Sequence, residues 1–190
     1  LTVYDGMTGI SENAFINTKN RSHAVTAEIE IPKGGASGVI LAQGGRFGGW
    51  SLYLKDGRPT YTYNFLGLKR FTIAGRQRLP VGKATVRYEF AYDGGGIGKG
   101  GTGTLFVSGR KVAEGRIEHT QGMVFSVDEG TDVGRDGETP VVESYGLAAP
   151  FAFTGRIDKV TIDLKEVDKS VGAEENRRRT DLVQRAVMLD

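Results

Sequence analysis

The sequence predicts an all-β fold, an antiparallel β-sandwich or jelly roll with one C-terminal α-helix. Three observations carry this reading. Apolar and polar residues alternate with period two in segment after segment, the mark of a strand with one buried face. Turn-forming residues punctuate those segments at short intervals. Gly also accounts for 29 of 190 residues, about twice the usual share of roughly 7%. No helical pattern interleaves with the strands before residue 166, which excludes a parallel α/β sheet.

Taken in order, Val25, Ala27, Ile29 and Ile31 point one way while Thr26, Glu28 and Glu30 point the other. Ser37 to Gln43 is short and apolar enough for a strand covered on both sides. Trp50, Leu52 and Leu54 alternate with Ser51, Tyr53 and Lys55, and Asp56-Gly57 then turns the chain into Pro59 to Phe65, so these runs read as a hairpin. By parity Trp50 belongs in the core and Tyr53 on the opposite face. Further strands are expected at 68–74, 83–92, 103–108, 111–118 and 154–164. From about Ser170 to Leu189 the spacing becomes helical, with Val171, Leu182, Val183, Ala186 and Val187 among charged residues. The expected organisation is a sandwich domain over 1–165 and an amphipathic helical tail over 166–190, whose apolar stripe would cover the body or a second copy of the chain.

Composition removes several function classes. With no Cys there is no disulfide framework, thiolate metal site or cysteine nucleophile. Two His are too few for a multi-histidine metal site. No run approaches the roughly 18 apolar residues of a membrane span, and the start, Leu1 to Gly6, reads as a piece of a longer protein rather than a signal peptide. The pI near 8.8 reflects a net charge of only +2, so neither nucleic acid nor membrane is expected as a partner.

Asp93 to Gly101 contains a literal G-x-G-x-x-G at Gly96, Gly98 and Gly101. A strand pattern follows it where a dinucleotide site needs a helix N-terminus, so a hairpin loop is expected there. His23 and His119 lack a nearby nucleophile-elbow Ser, which leaves a hydrolase triad without support. From Gln121 to Ala149 six acidic residues face one Arg, a net of −5. This stretch is either a solvated loop paired with nearby cations or a Ca2+ site on Asp128, Asp132 and Asp136; no cofactor is otherwise required. Tyr53, Tyr61 and Tyr63 are either cross-strand aromatic pairs or rings that stack on a glycan.

Longer phrases bring a resemblance. Tyr4-Asp5-Gly6-Met7, Glu12-Asn13-Ala14, Asn20-Arg21-Ser22-His23, Ala42-Gln43-Gly44-Gly45-Arg46-Phe47-Gly48-Gly49-Trp50-Ser51-Leu52-Tyr53, Tyr63-Asn64-Phe65-Leu66-Gly67, Tyr92-Asp93-Gly94-Gly95-Gly96 through Gly101-Thr102-Gly103, and Phe153-Thr154-Gly155 together resemble the C-terminal region of bacterial arylsulfatases, over about Tyr4 to Lys165. Asp5 and Ser11 depart from that pattern, where the family often has Pro. The resemblance implies a concanavalin A-like sandwich that follows a sulfatase catalytic domain and partners it. In that family the formylglycine nucleophile, made from a C/S-x-P-x-R motif, and its metal belong to the preceding domain. This chain has no such motif, so no catalytic residue is assigned and the expected role is a non-catalytic accessory domain. Asn20, Arg21, His23 and Arg46 are its substrate-rim candidates, because a sulfate ester is an anion and Arg offers it a fork of donors. The alternative role is a carbohydrate-binding module for sulfated glycans.

Overall fold

The computed structural model describes residues 1–165 together with Ala173, Arg177, Arg178, Thr180 and Asp181. Apart from those five positions, the helical tail expected over 166–190 lies outside the described residues.

Among the described residues, eleven strands form two antiparallel sheets. In chain order they are β1 (Thr2–Val3), β2 (His23–Ile31), β3 (Gly38–Gly45), β4 (Gly48–Lys55), β5 (Arg58–Phe65), β6 (Lys69–Ala74), β7 (Gly82–Tyr92), β8 (Gly101–Val107), β9 (Arg110–Ile117), β10 (Thr131–Val133) and β11 (Arg156–Leu164). One sheet has the order β1-β11-β2-β7-β8-β9 and the other β10-β3-β4-β5-β6. The nine longer strands coincide with the expected ones to within a few residues. β1 and β10 are additions: each is too short for alternation to reveal, and β10 lies inside the acidic segment read as loop.

The period-two faces meet between the sheets. Val25, Ala27, Ile29 and Ile31 are buried there against Trp50, Leu52 and Leu54 of the facing sheet, as their removal from water favours. The Asp56-Gly57 turn has positive φ at both residues, as a two-residue hairpin turn demands. Pairing outward from it places Trp50 opposite Tyr63 and Leu52 opposite Tyr61. Tyr61 therefore points inward and stacks on Tyr88 of β7 with ring centroids 3.5 Å apart.

A second, smaller core lies on the outer face of β3 and β4. Val39, Ala42 and Tyr53 are covered there by Val141 and Tyr145 from the acidic segment and by Phe151 just after it. That segment is a strap across the sheet, which is why β3 is buried along its whole length.

Candidate functional site

Antiparallel order brings the start of β2, the β3–β4 turn, the β5–β6 turn and the β7–β8 loop to one end of the sandwich. Four of the phrases quoted above lie on these loops. Asn20 adopts a left-handed backbone, φ 59°, which Asn tolerates better than most residues. Its buried amide donates to the Gly122 carbonyl at 2.8 Å and accepts from the Gly98 amide at 2.9 Å, so it clamps three loops. Asn64 does the same across the end: its Nδ2 donates to the carbonyls of Gly45 and Arg46, and its Oδ1 accepts from Gly67. Gly48 lies against the Gln121 side chain, where a Cβ would collide with the amide.

His23 is buried against Tyr88 and Phe90. Its Nδ1 lies 3.1 Å from the Arg21 carbonyl and so donates to it, while Nε2 has no hydrogen-bond partner among the described residues. Burial lowers its pKa to about 4, because the charged ring would lose its hydration. Thr18 Oγ1 and Gln121 Oε1 likewise have no hydrogen-bond partner among the described residues. All three residues line a small internal cavity of about 10 Å³, room for roughly one water molecule. Arg21 is half-buried, and Arg46 is exposed on the β3–β4 turn.

Of the four rim candidates, then, Asn20 and His23 are interior groups that hold loops, and Arg46 alone is fully open to solvent. Exposed apolar side chains flank it on the β3–β4 and β5–β6 turns, Phe47 at 65% and Leu68 at 82% exposure, with Leu66. Glu12 and Lys19 form a largely buried ion pair that no motif in the sequence announces. Glu12 Oε2 also accepts from the Phe125 amide at 2.9 Å, tying the N-terminal segment to the 121–127 loop. Its only signal was Glu12 within one of the phrases.

The tyrosines require a correction. Tyr53, Tyr61 and Tyr63 are 1–5% exposed, so as placed none offers a ring face to a sugar. Tyr61 and Tyr63 lie between the sheets. The Tyr63 hydroxyl accepts from the Gln121 amide at 2.7 Å, and burial raises its pKa. Tyr53 packs edge-on against Tyr145 beneath the strap.

The acidic candidates are also placed apart from one another in role. Asp128 is exposed, and Asp132 accepts from the Gly9 amide at 2.7 Å. Asp136 is buried, accepting from the amides of Gly137 and Val141 and from the Tyr145 hydroxyl. Desolvation raises its pKa to about 6, with those hydrogen bonds opposing the rise and the Asp132 charge adding to it. Among the described residues no three His, Asp or Glu side chains converge as a metal site needs.

No protein-family model matches the chain, and no curated protein matches it. Solved structures do. Domains LG4-5 of the mouse laminin α1 chain are similar at 15% identity and TM-score 0.54, over 86% of this chain and 43% of that one. A CBM40 of the Ruminococcus gnavus IT-sialidase, solved with α2,3 sialyllactose bound, is similar at 15% identity and TM-score 0.52, over 92% and 97%. The receptor-binding domain of botulinum neurotoxin type G is similar at 12% identity and TM-score 0.51, over 95% and 44%. The chain thus spans less than half of the laminin and toxin chains. Nothing among these comparisons links it to arylsulfatases. At such identities the likeness carries the fold alone: the chain is a jelly-roll β-sandwich of the concanavalin A-like kind.

Proposed function

We propose that this chain is a non-catalytic accessory domain that presents the loop-bearing end of its sandwich to the catalytic domain of a sulfatase. One observation supports this above others: four of the seven phrases that resemble arylsulfatases, distant in sequence, lie together at that end, around the Asn20 and Asn64 clamps. Clamped loops keep their shape without a ligand, so a partner meets a preformed surface. Phe47, Leu66 and Leu68 supply its apolar part and Arg46 its charge. The absence of catalysis is supported by the histidines, since His23 is buried on a backbone carbonyl and His119 packs beside Phe65.

The coding sequence ahead of Leu1 tests the sulfatase link. A C/S-x-P-x-R motif there supports it, and an open frame without one refutes it. Release of sulfate from an aryl sulfate by the purified chain would refute the non-catalytic role. The alternative, a carbohydrate-binding module, draws support from the likeness to the sialyllactose-bound CBM40, but without the three tyrosines it needs a different surface.

A further inference from the structure

The opposite end of the sandwich carries the β4–β5 turn, the 75–81 segment and the β8–β9 turn. A cleft of about 460 Å³ opens there, lined by Arg76, Arg78, Arg110 and Lys111 with Pro59, Leu79 and Val107. That volume falls within the roughly 300–1,000 Å³ of small-ligand sites. The four cationic residues are exposed, whereas the aliphatic ones are buried or half-buried. No described lining residue is acidic. Lys111 pairs with Glu114 at 2.6 Å, but among the described residues no ion pair involves Arg76, Arg78 or Arg110. Three guanidinium groups are therefore gathered around one concavity without internal neutralisation, an arrangement whose mutual repulsion an anion relieves.

The backbone beneath them is fixed. The Arg58 Nε donates to the Arg76 carbonyl at 3.1 Å, the Leu79 amide to the Gly57 carbonyl at 2.9 Å, and the Ser108 amide to the Thr85 carbonyl at 2.8 Å. The cleft is preformed, and only side-chain rotamers need settle on binding.

We propose that this cleft binds an anionic polysaccharide, with Arg76, Arg78 and Arg110 holding its sulfate or carboxylate groups and the aliphatic surface of Pro59, Leu79 and Val107 meeting the C–H faces of its rings. A single-stranded nucleic acid fits less well, because its bases seek aromatic platforms and no aromatic residue lines the cleft among the described residues. The inference deepens the binding-module reading and is independent of the sulfatase link.

The test is calorimetry on the whole chain with four probes: a heparin octasaccharide, an unsulfated polyuronate of similar length, a single-stranded DNA 12-mer and phosphatidylserine vesicles. Each is run at low and at physiological salt. The proteins are the wild type, Arg76→Glu/Arg110→Glu, and the control Lys99→Glu/Arg135→Glu, which makes the same charge change away from the cleft. Binding of heparin or polyuronate is expected to weaken with salt, to fall by roughly tenfold for each reversed cleft charge, and to change far less in the control. The sulfated and unsulfated arms then say which anionic group the arginines take. Equal loss in both double variants would overturn the site while leaving a glycan-binding role standing. No binding of either polysaccharide would overturn both, and tighter binding of the DNA or the vesicles would overturn the ligand class.

Discussion

Replacing Asp136 by Asn should make the protein sensitive to mild acid in a way the parent chain is not. Two interior groups titrate in overlapping windows with opposite signs. His23 has its pKa lowered from 6.5 to about 4, so the unfolded chain holds its proton more tightly. Its contribution to stability is complete above 6.5 and disappears as the pH falls through 4. Asp136 has its pKa raised from 3.8 to about 6, so the folded chain holds that proton more tightly, and its contribution is complete below 3.8 and disappears as the pH rises through 6. At about 1.4 kcal/mol per pH unit of displacement, each amounts to ~3 kcal/mol. Between pH 6.5 and 4 the two changes nearly cancel. In Asp136→Asn the His23 loss stands unopposed, and stability should drop by ~3 kcal/mol over that interval more than it does in the parent. Urea denaturation at half-unit pH steps reads this directly from the midpoint and slope. The mirror variant, His23→Phe, should gain stability as the pH falls. If the Asp136→Asn profile runs parallel to that of the parent, the opposing-titration argument is wrong.

Glu12→Ala strands the buried Lys19 charge and frees the Phe125 amide, so a loss of about 3–5 kcal/mol is expected in chemical denaturation; a loss under about 1 kcal/mol would contradict the clamp. Phe47→Asp touches only exposed surface, so stability should stay within about 0.5 kcal/mol of the parent while affinity for a sulfatase catalytic domain, read by surface plasmon resonance, falls. Calcium should leave the thermal midpoint unchanged, because Asp136 is committed to amides and a hydroxyl; a rise with added calcium would show a cation bound to the folded state.

Most of the sandwich was readable because alternation is a local property. Val25 to Ile31 and Trp50 to Lys55 declare their buried faces without knowledge of their partners. Parity alone sets Tyr53 on the face opposite Trp50, and the apolar run of β3 implies cover on both sides. What covers that outer face is not legible in sequence, since Val141, Tyr145 and Phe151 follow no period and reach the sheet from about ninety residues away. The inward setting of Tyr61 and Tyr63 was recoverable. Counting outward from the Asp56-Gly57 turn pairs Tyr63 with Trp50, and a partner of a core residue across an antiparallel pair shares its face. The loop clamps are another matter. Asn20 and Asn64 act through backbone groups on other loops, and such partners have no residue identity that a sequence displays.

The β4–β5 hairpin spans the whole body, with its closed tip at the arginine cleft and its open ends at the Asn64 clamp. Eight residues per strand separate those extremities by about 26 Å at ~3.3 Å per residue. Occupants of the two poles would neither collide nor screen one another, because that gap exceeds the Debye length of about 8 Å in physiological salt. The sandwich body would therefore act as a rigid spacer, were a polymer held at one pole and a protein at the other.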